Sequence, residues 1–188
     1  NSQAAPHNAE GLAYDCELAE RIRDGDRVAL ERLVDRHMPA VNRYVRHRLG
    51  AGHDEQVWSL VRATFDEALR KLGPYARKSA TTPMGYWLIR LAERNLGRYL
   101  LKAKVDENGK SRFQVGGDDD ELGIVRSVMI GLPRRYSAVL ALALFEGMGT
   151  EGIAYTLGVG QAAALRRLRA ALRQIGKKVA PSEDEEEL

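Results

Sequence analysis

Apolar residues recur at spacings of three and four along most of the chain and nowhere alternate with polar ones, so the pattern predicts helices throughout. Leu18, Ala19 and Ile22 predict a short helix over 12–23, after a polar lead-in at 1–11 and closed by Asp24 and Gly25. Asp26 is placed to cap a longer helix ending at Leu49, in which Val28, Ala29, Leu30, Leu33, Val34, Val41, Tyr44, Val45 and Leu49 keep helical register. Pro39 inside that run predicts a kink or a brief break near His37 and Met38, and Gly50 and Gly52 end the helix. A third helix over 54–72 carries Val57, Trp58, Leu60, Val61, Phe65, Ala68, Leu69 and Leu72, and Gly73 and Pro74 stop it. After a polar loop at 75–82, Thr82 and Pro83 form an N-cap and first-turn pair for a fourth helix, 84–104. Its apolar face holds Trp87, Leu88, Leu91 and Leu96, and Trp87, at the head of that stripe, reads as core.

Residues 105–120, VDENGKSRFQVGGDDD, lose all periodicity and predict a flexible linker. Helical patterns resume at 121–130 and 134–146. Then comes EGMGTEGIAYTLGVGQAAALRRLRAALR, on which the rest of the second half is organised. Thr150 is placed as an N-cap, and Ile153, Ala154 and Leu157 share one face of the helix 151–157. Gly158 supplies a residue able to take positive φ at a tight turn, with Val159 as an apolar plug beneath it. Beyond the turn, Leu165, Leu168, Leu172 and Ile175 make one apolar stripe, flanked by Arg166, Arg169 and Arg173, with Arg167 further round. This is the pattern of a helix-turn-helix, whose second helix enters the DNA major groove while arginines meet phosphates or guanine edges. An ordinary helical hairpin with a solvated basic face shares the spacing. The chain is therefore read as all-α: two small helical domains, 12–104 and 121–178, joined by the linker 105–120, with an acidic tail at 179–188.

Charge sharpens that picture. Setting aside the five consecutive acids Glu183–Glu187, the chain's net charge of +3 becomes +8. Segment 134–178 has eight Arg and Lys against Glu146 and Glu151, a balance of +6 that suits a polyanion partner, for which the acidic tail competes. The single cysteine, Cys16, allows no internal disulfide framework and gives no zinc pattern, which fits a reducing compartment. The four histidines are scattered without ligand spacing, and NGKS at 108–111 lacks the glycine pattern of a phosphate loop. No cofactor, metal or catalytic constellation is expected, nor an enzyme. No apolar run approaches a membrane span and no signal peptide is visible, so the cytoplasm is the expected place.

Three pieces in order resemble the extracytoplasmic-function (ECF) sigma factors, the smallest class of bacterial RNA polymerase sigma subunits. RDGDRVALERLVDRHMPAVNRYVRHRLG resembles the opening helices of the family's N-terminal domain, and GYWLIRLAERN resembles its promoter-melting helix. GLPRRYSAVLALALFEGMGTEGIAYTLGVGQAAALRRL resembles its C-terminal domain; the likeness covers about residues 18–176. The resemblance implies that the N-terminal domain binds the β′ clamp helices of core RNA polymerase and opens the −10 element of promoter DNA. It places polymerase binding at Gln56, Ser59, Leu60, Val61 and Phe65. It places −10 contacts at Arg77, Lys78, Ser79 and Tyr86, with Arg90, Arg94, Arg98 and Lys102 as a basic stripe for phosphates. The −35 element would meet Gln161, Ala162, Arg166, Arg167, Arg169 and Arg173. An anti-sigma factor is a further implied partner.

The chain departs from the family pattern at three places. An acidic run usually opens the third helix, but here Gln56, Val57, Trp58 and Ser59 stand there, before Leu60–Val61. Asn95 falls one residue later after Ala92 than usual, and Ala162–Leu165 leave few base-reading side chains. Phosphorylation of Ser59 or Thr64 by a Ser/Thr kinase would restore the missing negative charge, with Arg62 placed to pair with a phosphate on Ser59. Two rival readings stay open. One is a sigma relative without polymerase binding that titrates an anti-sigma factor or another regulator; the other is a plain helix-turn-helix regulator.

Overall fold

The computed structural model describes residues 9–76, 82–105, 129 and 131–179, and all regular structure among them is helical. Helix α1 (Ala9–Arg23) is followed by α2 (Arg27–Leu49), α3 (Asp54–Arg70), the short α4 (Leu72–Ala76) and α5 (Met84–Val105). The second half holds α6 (Arg134–Leu140), which runs into a π-turn (Ala141–Phe145), then α7 (Thr150–Leu157) and α8 (Gln161–Val179). Most of the proposed linker, the helix expected at 121–130 apart from Met129, and the acidic tail lie outside the described residues.

Local chemistry explains the boundaries. Asp26 accepts hydrogen bonds from the backbone N–H groups of Val28 and Ala29 at 2.9 and 3.1 Å, satisfying two donors that the first turn of α2 leaves open. Its other oxygen takes the Arg21 guanidinium at 2.6 Å, tying the end of α1 to the start of α2. Gly50, at φ 84°, closes α2. The expected break at Pro39 does not occur, since α2 is continuous from Arg27 to Leu49. Asp35 and Pro39 both lie on the exposed face, so the carbonyl that proline leaves without a helical donor is open to water.

Other boundaries shift from the pattern. Helix α1 starts at Ala9, inside the expected lead-in. Gly73 and Pro74 do not stop the third helix; it ends at Arg70, capped by Lys71, and they sit inside α4. At α5 the Pro83 carbonyl accepts the first helical bond, from the Trp87 N–H, while the Thr82 carbonyl accepts the Tyr75 hydroxyl at 2.7 Å. Thr150 is the first residue of α7 rather than its cap, which is Gly149.

In the first half, α2 packs against α1, α3 and α5, and α1 also covers α4. Leu18, Leu33, Tyr44, Leu49, Leu88 and Leu96 fill the space between these helices and are almost wholly buried. Each such side chain contributes roughly 1.5–3 kcal/mol by leaving water. Trp87 packs at the margin of this core, its ring stacked on Tyr75 at 4.4 Å. Trp58 and Leu69, expected on the inner face of α3, are instead 53% and 38% exposed, on the flank of a stripe centred on Val57, Val61, Thr64 and Ala68.

In the second half, α8 packs on α6 and α7. Its inward line is Ala164 and Ala171, fully buried, with Leu168 and Ile175 partly buried beside them, one residue round from the line through Leu165 and Leu172, and Leu172 is 47% exposed. Alanines at the crossing permit close helix approach, which pulls the axis of burial toward them. The core does not stop between the halves: α7 also packs on α5, and the π-turn packs on α2.

Candidate nucleic-acid interface

The turn between α7 and α8 is built as its sequence requires. Gly158 takes the left-handed conformation at φ 65°, ψ 39°. The Val159 N–H then donates to the Ala154 carbonyl at 2.9 Å, and the Val159 side chain packs against the core. This fixes the start of α8, where Gln161 and Ala162 are exposed. Arg166, Arg169 and Arg173 are also exposed and Arg167 is half-buried.

These four arginines line an open groove of about 660 Å³ together with Ala170, Arg135 and Tyr136. Five guanidinium groups thus face one concavity with no carboxylate in its lining. Arg135 lies 4.9 Å from the Tyr136 ring centroid, so a cation–π contact steadies its head at the groove wall. Such a surface attracts a polyanion and can meet several phosphates at once. Arg135 and Tyr136 are not among the residues expected from the sequence; their signal is the doubled arginine and tyrosine directly after Pro133.

The basic stripe of α5 is arranged differently. Arg90 donates to the Tyr155 carbonyl at 3.1 Å and lies 5.1 Å from the Tyr155 ring centroid, so α7 engages it. Arg94 pairs with Glu67, as does Lys71, and Arg98 reaches the same carboxylate at 3.8 Å and the Asn95 side chain at 3.1 Å. Burial works against the charge on Glu67, but the hydrogen bond from Lys71 and the nearby Arg94 outweigh it and hold the carboxyl below its usual range. Lys102 is exposed. Tyr86 is half-buried, and burial together with the nearby Glu151 carboxylate raises its phenol, so the ring is neutral. Arg77, Lys78 and Ser79 lie outside the described residues.

The expected polymerase-facing residues divide sharply. Leu60, Val61 and Phe65 are core residues, no more than 8% exposed, because they lie on the inward stripe of α3 that packs against α2 and α5. Ser59 is exposed and Gln56 half-buried. Beside them the exposed Trp58 joins Met38, Pro39, Asn42, Arg43, Arg46 and His47 in a shallow groove of about 460 Å³ between α2 and α3. The two candidate phosphorylation positions divide too. Thr64 is fully buried, with its hydroxyl donating to the Leu60 carbonyl at 2.7 Å, so a kinase cannot reach it here. Only Ser59 is open.

Among the described residues, no group of three or more His, Cys, Asp or Glu side chains comes together to hold a metal ion, and no helix is long and apolar enough to cross a membrane.

No family model matches the sequence, and no curated protein matches it significantly. A solved structure does: CnrH in complex with the cytosolic domain of CnrY matches with a TM-score of 0.66 and 23% identity, over 88% of this chain and 96% of that one. The chain thus has an all-helical fold like that of an ECF sigma factor.

Proposed function

We propose that this chain is a sigma-like transcription factor that brings core RNA polymerase to promoter DNA. The observation that carries the reading is the arginine groove, built on the second helix of a helix-turn-helix within a sigma-like fold. Arg166 and Arg167 lie at the front of α8, where base edges or phosphates of a −35-like element come within reach. Arg169, Arg173 and Arg135 flank them as phosphate anchors. In the N-terminal part, Tyr86 with Arg90 and Lys102 would serve the opened −10-like strand, stacking and neutralising it. No covalent chemistry is asked of the protein.

Polymerase would meet the rim formed by Gln56, Trp58 and Ser59 and the groove behind it, rather than Leu60, Val61 and Phe65. The exposed Trp58 supplies an aromatic anchor of the kind that dominates protein interfaces. Phosphorylation at Ser59 would add to this rim the negative charge that the family pattern places there.

The test is direct. Purified chain is incubated with core polymerase and with labelled promoter fragments, and open-complex formation is followed by permanganate reactivity. Core binding with strand opening supports the reading; absence of both overturns it. Core binding lost while an anti-sigma domain is still captured marks the titrating interaction protein instead. The same rim, with tryptophan in place of acids, favours that second reading, and CnrH itself is seen with the cytosolic domain of CnrY.

A further inference from the structure

Helix α8 carries positive charge on one face that its own fold leaves unanswered. Arg166 and Arg169 stand three residues apart and Arg169 and Arg173 four, so like charges crowd one another along a single stripe, which weakens a helix. No acid lies anywhere in α8. Elsewhere an arginine meets a carboxylate from another element, as Arg43 meets Glu146 and Arg134 meets Glu93. At this groove the facing wall adds Arg135 and Tyr136 instead, and no carboxylate enters the lining. A bound polyanion relieves that repulsion.

The chain supplies one itself. Beyond Val179, where α8 ends, come Ala180, Pro181 and Ser182 and then the consecutive acids Glu183, Asp184, Glu185, Glu186 and Glu187. Five carboxylates thus follow a helix that borders a groove with five guanidinium groups. Pro181 cannot continue the helix, which favours a turn just past its end. At a rise of about 1.5 Å per residue, Arg173 lies roughly 9 Å and Arg166 roughly 20 Å back along the axis from Val179. The eight residues 180–187 span at most about 29 Å when extended, so the acids reach the whole stripe. The way back is open: Gly176, one turn beyond Arg173, is exposed, and a Cβ added there would meet nothing within 4 Å. Packing does not ask for that glycine, although glycine inside a helix costs stability.

We propose that the acidic segment 183–187 folds back into the arginine groove as an internal polyanion, which a DNA duplex must displace before it binds. The competition rests on the reading of the groove as the DNA surface. Tethering at the end of α8 keeps the acids at high effective concentration, so a contact that is weak per charge suffices to fill the groove. The segment subtracts equally from every duplex, because phosphate contacts carry no sequence information. Only sites whose base contacts add enough affinity stay occupied.

The full-length chain tests it with two readouts. A neutral variant carries Glu183→Gln, Asp184→Asn, Glu185→Gln, Glu186→Gln and Glu187→Gln, and alters no described residue. With Cys16→Ser and a nitroxide on Leu188→Cys, the wild-type segment should broaden the amide signals of residues 162–169 and of Arg135. The broadening should fall in the neutral variant, in Arg135→Ala combined with Arg169→Ala, and at high salt, where charges are screened. The second readout is affinity for a short fluorescent duplex. If the segment fills the groove about nine-tenths of the time, the neutral variant gains about tenfold. Broadening no greater in the wild type than in the neutral variant would overturn the docking even if affinity rose, since losing negative charge by itself relieves repulsion of DNA. Broadening passed from nitroxide-bearing chains to isotope-labelled ones in a mixed sample would make the contact one between copies and overturn the internal form. Docking with no gain for the duplex overturns the competition. If neither form binds duplex while the broadening persists, the DNA reading of the groove fails and the acidic segment remains its ligand.

Discussion

Arg43 and Glu146 stand 103 residues apart in sequence and meet side by side, with Arg43 Nη2 2.7 Å and Nε 3.2 Å from the carboxylate oxygens. The pair is lopsided: the Arg43 side chain is 48% exposed and that of Glu146 only 4%. Burial raises the Glu146 carboxyl above its usual range, and Arg43 works against that shift.

Arg43→Ala therefore leaves a buried carboxylate without its partner, at a cost of about 1–3 kcal/mol at neutral pH. A carboxyl whose folded pKa lies above its unfolded one destabilises the fold while ionised, and that penalty fades as pH falls through the folded value. Losing Arg43 enlarges the penalty. Urea unfolding should show a gap between variant and wild type that is wide at pH 7.5 and narrows toward pH 4.

Asp26 has the opposite sign. The Arg21 hydrogen bond, then the bond from the Ala29 N–H, lower its carboxyl. Its stabilising contribution is present above its unfolded value and lost as pH falls through the lower folded one. Asp26→Ala should lower Tm at pH 7, and the difference from wild type should shrink in thermal scans taken below pH 3.

The two phosphorylation candidates should separate by stability alone. Thr64→Glu forces a charge into a fully buried position and should destabilise by on the order of 3 kcal/mol or more. Ser59→Glu lies on the surface and should stay within about 0.5 kcal/mol of wild type. Equal stability of the two variants in chemical denaturation would contradict the placement of α3.

The arginine groove predicts a salt signature. Replacing Arg166 and Arg167 with Ala should weaken duplex binding, and each lost phosphate contact should reduce the slope of log affinity against log salt by about one. Arg135→Ala should do the same, although Arg135 lies 31 positions before Arg166. An unchanged slope in all three variants would remove the groove from the DNA surface.

Trp58→Ala should change stability by less than about 1 kcal/mol, because the ring is half in solvent. Its effect should appear in core-polymerase affinity, measured by fluorescence anisotropy. A large loss of stability with no loss of affinity would make Trp58 a packing residue.

The parts of the fold legible in the sequence are those set by neighbours a few residues apart. Asp26 as a cap, Gly50 as a stop and Gly158 as the turn all follow from local backbone chemistry. The helical stripes are visible there too, but not their centres: one step along a helix turns a side chain by roughly 100°. Trp58 and Leu172 thus sit on the flank of stripes whose middles are Val61 and Ala171. Hydrophobicity favours the leucine, whereas close helix crossing buries the alanine. Partners of Arg90, Arg94 and Arg48 come from 65, 27 and 89 residues away, and no spacing rule announces them. A basic stripe in sequence therefore looks free for phosphates where the fold has already given most of it to Glu67 and α7.

The π-turn at Ala141–Phe145 shows how finely that arrangement is counted. The Glu146 N–H reaches back to the Ala141 carbonyl, so this turn holds one residue more than an α-helical turn would. Deleting a single residue there would let ordinary helical bonding resume and would swing the downstream chain by roughly 100° about the axis. Phe145 would leave His47, and Glu146 would leave Arg43. One codon thus decides whether α6 still fits the helix-turn-helix that packs on it, and with that fit whether the two halves clasp.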